Sequence, residues 1–110
     1  MENCIFCKIA NKEIPSNFVY EDENCVAFND LNPQAPVHIL VIPKKHYASL
    51  NELDDPKIMS ALLEAVKKVT QKLNIKQFRT VLNTGKEAGQ EVFHLHFHIL
   101  SGRPMKWPPG

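Results

Sequence analysis

Apolar positions along the chain fall into short runs of two kinds, some with a period near 3.6 and some alternating or continuous. In residues 3–11, Ile5, Phe6 and Ile9 cluster on one side of a short helix that Asn3 can cap. Phe18-Val19-Tyr20-Glu21 and Cys25-Val26-Ala27-Phe28 read as two strands joined by a turn at Asp22-Glu23-Asn24. Pro33 and Pro36 make residues 32–36 a loop, and Val37 to Ile42 then form a largely buried strand closed by Pro43. Asp55 followed by Pro56 announces a long helix running to about Leu73. Met59, Leu62, Leu63, Val66, Val69 and Leu73 are its expected core stripe, and Ile58, Ala61 and Ala65 a second, partly apolar face. Residues 79–83 form a further strand, 84–90 a loop with two glycines, and Glu91 to Leu100 the last strand. Five strands around one long helix, without alternating strand–helix units, predict an α+β domain with an antiparallel sheet.

The 110 residues suit a single domain, 1–110. A net charge of +1 from 13 basic and 12 acidic residues gives no basic stripe for a nucleic acid. No stretch is long enough to span a membrane, and Met1-Glu2-Asn3 has no basic leader region. Three cysteines, an odd number, point to a reducing compartment rather than a disulfide framework, so a cytoplasmic location is expected.

His94, His96 and His98 alternate with Leu95, Phe97 and Ile99. On a strand the three imidazoles project to one face, roughly 6–7 Å apart, together with Val92, while Phe93 joins the apolar face. An ordinary half-exposed strand would carry Lys, Thr or Glu there. Alternating histidines instead either chelate a metal or divide the work of nucleophile and phosphate ligand. The glycine-containing loop from Asn83 to Glu91 favours the second use, because exposed backbone amides in such a turn form an anion site.

The segment from Gly89 to Leu100 resembles the signature of the histidine-triad (HIT) superfamily, His-φ-His-φ-His-φ-φ with φ apolar. Residues 30–38 and the ending Trp107-Pro108-Pro109-Gly110 are similar to the Hint branch, the nucleoside phosphoramidate hydrolases. The resemblance implies the HIT fold: a five-stranded antiparallel sheet, one long helix and a short N-terminal helix. It further implies that His96 is the nucleophile, that His98 and His38 bind the α-phosphate, and that Asn83, Gly89, Gln90, Glu91 and Val92 supply the remaining phosphate ligands. Asp30, next to Leu31, would hold the ribose hydroxyls, and Ile5, Phe6, Ile9 and Phe28 would wall a purine. Glu91 stands where many relatives have a hydroxyl residue; a carboxylate repels phosphate, so its backbone amide is expected to act and its side chain to turn away.

Cys4-Ile5-Phe6-Cys7 can be two core residues, a redox pair or half of a zinc site. With His96 and His98 assigned to phosphate, His94 and His46 are left as further ligands. Cys4, Cys7, His46 and His94 would close a structural zinc site, an arrangement shown by zinc-binding members of the superfamily. Cys25 is expected only to pack. No cofactor is expected in catalysis itself.

Three competing readings remain at this point: cleavage of dinucleoside polyphosphates, a nucleotide-responsive binding module, and a metallohydrolase with its metal on His94 and His96. The resemblance also implies a homodimer through the long helix and a neighbouring strand. In such a dimer the C-terminal segment, with Trp107, would reach the partner's active site near the leaving group.

Overall fold

The computed structural model describes residues 3–110. In chain order it has helix α1 (Ile5–Ala10), strands β1 (Phe18–Glu21), β2 (Cys25–Asn29) and β3 (Val37–Pro43), helix α2 (Pro56–Lys72), and strands β4 (Arg79–Val81) and β5 (Phe97–Ser101). The strands form one antiparallel sheet in the order β1-β2-β3-β5-β4. The expected α+β architecture is therefore present, with five strands, one long helix and one short one.

Local signals account for the element ends. The Asp22 carboxylate accepts the amides of Asn24 and Cys25 at 2.8 and 2.7 Å, which closes the β1–β2 hairpin. Asp55 caps α2 by accepting the Lys57 amide, and Pro56 occupies the first turn, where its missing N–H costs nothing. Cys4, not Asn3, caps α1: its sulfur accepts the Cys7 amide at 3.3 Å.

Both faces of the central sheet are covered. Ile39 and Val41 of β3 and Ile99 of β5 pack with Ile58, Leu62, Ala65, Val66 and Val69 of α2. Leu40 and Ile42, on the opposite face, pack with Phe6, Ile9 and Ala10 of α1 and with Val26 and Phe28. This double cover explains why β3 is apolar almost throughout rather than alternating.

Other sequence expectations need correction. The face of α2 on the core includes Ile58 and Ala65, whereas Met59, Leu63 and Leu73 are exposed. Apolar residues come in adjacent pairs (58–59, 62–63, 65–66), so the pattern marks a wide arc without saying which half meets the sheet. The last strand is also shorter than residues 91–100. Its pairing with β3 ends at Val41↔Phe97, and residues 91–96 run irregularly. There the Leu95 amide donates to the Tyr47 carbonyl at 2.7 Å and the His94 ring donates to the Pro43 carbonyl at 2.8 Å, contacts that replace a ladder. Leu95 nevertheless joins the α2-side core, and His94 and His96 contact Phe6 on the α1 side, so the alternation persists beyond the strand. Phe93 departs from it and is exposed. The same shortening affects β4, which ends at Val81 rather than residue 83.

Candidate active site and metal centre

Between α1 and the β2–β3 side of the sheet lies a cavity of about 770 Å³, within the usual range for a small-molecule site. Ile5, Phe6, Ile9 and Phe28 line its apolar end, with Ile14 and Pro15 added from the loop after α1. Asp30 and Leu31 lie on its rim, Leu31 almost fully exposed. His38, His96 and His98 line the polar end together with Gly89, Glu91 and Val92. No lysine or arginine is among the lining residues, and two acidic residues, Asp30 and Glu91, are.

The imidazoles are held in definite tautomers. The Gln34 amide donates to Nδ1 of His38 at 3.0 Å, so the proton of His38 sits on Nε2. That Nε2–H donates to Nδ1 of His98 at 2.8 Å, which places the His98 proton on its own Nε2. Asp30 stands 3.4 Å from His38 Nε2 and orients the same proton. Burial lowers the pKa of His38, and pushes that of His98 down to about 4, so both rings are neutral at pH 7. His96, buried beneath the Phe6 edge, donates Nδ1–H to the His94 carbonyl at 2.8 Å. Its Nε2 therefore keeps a free lone pair and has no partner among the described residues. The result is one nucleophilic nitrogen beside one N–H donor, with ring centroids 4.9 Å apart.

The loop before the triad is tied down by a residue whose part the sequence did not disclose. Gln90 is buried; its side chain accepts the Gly85 amide at 2.9 Å and donates to the carbonyls of Ala48 and Val92. All of its side-chain groups thus face inward, and it is not among the residues lining the cavity. Asn83 is also set back, its Nδ2 lying 3.4 Å from the Gly89 carbonyl. Gly89 has φ +101°, and a Cβ there would meet the Asn83 amide. The positive φ is what calls for glycine, since a Cβ 3.4 Å from that amide would be in ordinary van der Waals contact.

A second cluster lies behind the first. Nδ1 of His94 is 3.2 Å from Cys4 Sγ, 3.4 Å from Cys7 Sγ and 3.2 Å from His46 Nδ1, and Cys7 Sγ is 3.3 Å from His46 Nδ1. The His94 Nε2–H is committed to the Pro43 carbonyl, so its Nδ1 offers a single lone pair. Hydrogen bonds could pair Cys4 with His94 and Cys7 with His46, but would leave the two Nδ1 lone pairs facing each other at 3.2 Å. A central cation satisfies all four groups, and these separations lie within a few tenths of an ångström of the tetrahedral edges for zinc, about 3.4 Å for N···N and 3.6 Å for N···S. The four residues could therefore hold a metal ion. The Pro43 carbonyl would be its orienting partner behind the first ligands.

Asp30, His38 and His98 also come close enough to hold a cation, but the hydrogen bond between the two rings already accounts for them. Among the described residues, no candidate ligand group contains both His94 and His96. Cys25 is fully buried in the core, in keeping with a packing role.

Comparison with known proteins agrees with this geometry. Residues 11–105 match the family model described as HIT domain. The chain is 54% identical over 112 residues to an uncharacterized HIT-like protein of Synechocystis sp., covering 99% of this chain and 98% of that protein. It is 47% identical over 108 residues to the protein HitA of Neisseria gonorrhoeae, covering 96% and 100% of the two chains. Among solved structures, a HIT family hydrolase from Legionella pneumophila superposes with a TM-score of 0.93 at 47% identity, over 98% of this chain and 100% of the other. A histidine triad protein from Clostridium difficile gives 0.91 at 50% identity, over 96% of each. Sequence, sheet order and the three alternating imidazoles thus lead to one assignment: the chain belongs to the HIT domain family.

Proposed function

We propose that this protein hydrolyses purine nucleoside phosphoramidates to a nucleoside monophosphate and an amine, through a nucleotide held covalently on His96. The observation that carries the reading is the tautomer arrangement. The His94 carbonyl fixes the Nδ1 proton of His96 and leaves Nε2 free, while the Gln34–His38–His98 chain of hydrogen bonds turns an N–H donor toward the same end of the cavity.

In this mechanism Nε2 of His96 attacks the α-phosphorus. The bond to the amine breaks as the nitrogen takes up a proton from solvent, and water then attacks the phosphorus, breaks the P–Nε2 bond, releases the nucleotide and returns a proton to solvent. His98 donates Nε2–H to a non-bridging oxygen where negative charge accumulates. The backbone amides of Glu91 and Val92 supply further contacts to phosphate, whereas the Gly89 amide is taken by the Lys86 carbonyl, and Asn83 and Gln90 shape that loop from behind. Asp30 holds the ribose hydroxyls beside Leu31, and Ile5, Phe6, Ile9 and Phe28 enclose the purine.

The charge of the cavity favours an amine over a polyphosphate leaving group. A dinucleoside polyphosphate would bring several negative charges to a lining that has no lysine or arginine to meet them and carries the acidic residue Asp30. A pure binding module has no need of a nucleophile held in one tautomer.

We read the second cluster as a structural zinc site made by Cys4, Cys7, His46 and His94. Zinc there would supply a closed cross-link between α1, the loop after β3 and the triad segment, with no open position for chemistry. Thiol ligands of this kind suit a reducing, cytoplasmic setting. No helix among the described residues is long and apolar enough to cross a membrane. We also read residues 1–110 as one domain that pairs into a homodimer through α2 and the β4 edge, where Met59 and Leu63 remain exposed.

Mass spectrometry of protein quenched during turnover of adenosine 5′-phosphoramidate tests the reaction. An adenylyl adduct on His96, absent from His96→Ala, is expected. Substrate turnover with no adduct at any histidine would overturn the covalent route.

A further inference from the structure

The two clusters meet in a single peptide unit. The carbonyl of the His94–Leu95 peptide accepts the Nδ1 proton of His96 at 2.8 Å, and the amide of the same peptide donates to the Tyr47 carbonyl at 2.7 Å. Tyr47 follows His46, and the His94 ring is itself a member of the metal cluster, pinned on its other edge by the Pro43 carbonyl at 2.8 Å. The plane of this peptide is thereby fixed from both sides by residues that belong to the cluster or adjoin it.

A second connection runs through side chains. Phe6 lies between Cys4 and Cys7 in sequence. Its ring meets those of His94, His96 and Phe28 edge-on, with centroids 6.0, 5.2 and 5.7 Å away. One aromatic side chain therefore touches a cluster ligand, the candidate nucleophile and the wall of the cavity.

We propose that the cluster of Cys4, Cys7, His46 and His94 is a positioning device for His96 and for the purine wall, so that occupancy of the metal site sets the competence of the nucleotide site. This rests on the readings of His96 as nucleophile and of the cluster as a zinc site. His96 has one hydrogen bond to hold its ring, and its acceptor is backbone in an irregular segment without a strand partner. Without a cation, each thiol can donate to one imidazole, but the Nδ1 lone pairs of His46 and His94 then face each other at 3.2 Å with nothing between them, and the His94 ring must shift or turn. The carbonyl moves with it, the Nδ1 proton loses its fixed acceptor, and both tautomers of His96 become populated. A displacement of about 1 Å at a reacting group can cost on the order of a hundredfold in rate.

The test compares zinc-loaded protein, Cys4→Ser and Cys4→His, the last of which restores a fourth ligand. Readouts are AMP affinity by calorimetry, the His96 tautomer from imidazole ¹⁵N shifts, and the kcat against KM split on adenosine 5′-phosphoramidate. Cys4→Ser that remains folded at the measuring temperature is expected to lose zinc, to show mixed His96 tautomers, to bind AMP about tenfold more weakly and to lose about a hundredfold in kcat. Cys4→His should recover zinc, tautomer and affinity together. Folded, zinc-free protein with a single Nδ1–H tautomer and unaltered AMP affinity overturns the proposal.

Cadmium-substituted wild-type protein keeps the test decisive if Cys4→Ser does not fold. The larger ion is expected to move the His96 ¹⁵N resonances and lower kcat, and unchanged values of both would reject the coupling. Failure of the underlying readings is distinguishable. Wild-type protein without bound zinc removes the metal assignment, and zinc-loaded protein that does not bind AMP removes the nucleotide assignment.

Discussion

Replacing His38 by Phe isolates the step that fixes the phosphate-facing proton. The phenyl ring fills nearly the same buried volume but can neither accept the Gln34 amide nor donate to His98. Two costs follow, and they differ in kind. The Gln34 amide loses its acceptor, which costs about 1–3 kcal/mol when a donor is left buried and unpaired. Gln34 is itself exposed, so water can reach it and the lower end applies. Nδ1 of His98 loses the donor that kept it unprotonated, so its proton is no longer confined to Nε2. Removal of one fixed donor to developing charge costs roughly a hundredfold in kcat, or about 2.7 kcal/mol at 1.36 kcal/mol per tenfold. Stopped-flow turnover of adenosine 5′-phosphoramidate and urea unfolding, run on the same preparations, separate the two. The expected result is a hundredfold fall in kcat with about 1 kcal/mol of lost stability. Full kcat in His38→Phe would refute the assignment of His38 as the residue that sets the His98 tautomer, whatever happened to stability.

Three further outcomes are expected. Metal analysis of Cys7→Ser should find no zinc where wild-type protein carries about one per chain, with a melting temperature lower by about 10 °C or more; zinc-free wild-type protein of equal stability would end the structural role. Burial holds the His98 pKa near 4, below the ordinary 6.5, so on acidification the unfolded chain takes up this proton first. The stability His98 leaves intact above pH 6.5 should be lost as pH falls toward 4, and His98→Phe should flatten the denaturation midpoint over that window relative to wild type; parallel profiles for the two proteins would contradict the cause given. Leu63→Asp, at an exposed position of α2, should convert a dimer to a monomer in light scattering without altering the circular dichroism spectrum, whereas an unchanged dimer would place the interface elsewhere.

Much of this was legible because it is written in short-range periodicity. The Asp55–Pro56 start of α2, the Asp22 turn and the five strands each have a local physical cause that the sequence displays. The phase of α2 was not legible, since paired apolar residues leave two orientations of similar merit and only the sheet decides between them. The loop from Ile14 to Asn17 enters the cavity without any motif, because it contributes surface rather than chemistry. Gln90 is a similar case. A glutamine in a glycine-containing loop gives no sign that it will be buried and bonded to residues as distant as Ala48. His46 was reachable only by counting the histidines left without a task, and its position depends on how the chain turns after Pro43.

The most informative error concerns the triad itself. An unbroken strand through residues 91–100 would set its histidines at even spacing on one face, with His94 about 13 Å from His98 and no device to tell their roles apart. The observed chain leaves the ladder after Val41↔Phe97, and that break differentiates the three rings. His98 stays in register with β3, opposite Leu40 and near His38, and so acquires the partner that sets its proton. His96 lies just outside the ladder, where the carbonyl two residues back is turned to accept its Nδ1 proton instead of pairing with another strand. His94 lies further out, within reach of α1, the end of β3 and the loop beyond it; the Tyr47 carbonyl takes the Leu95 amide that strand pairing would otherwise have used, and the Pro43 carbonyl takes the His94 ring proton. Alternation is needed to keep all three imidazoles on the α1 side, and irregularity is needed to give each a different neighbour. A residue-by-residue pattern expresses the first requirement. The second depends on where the neighbouring strand ends, which is a property of the assembled sheet.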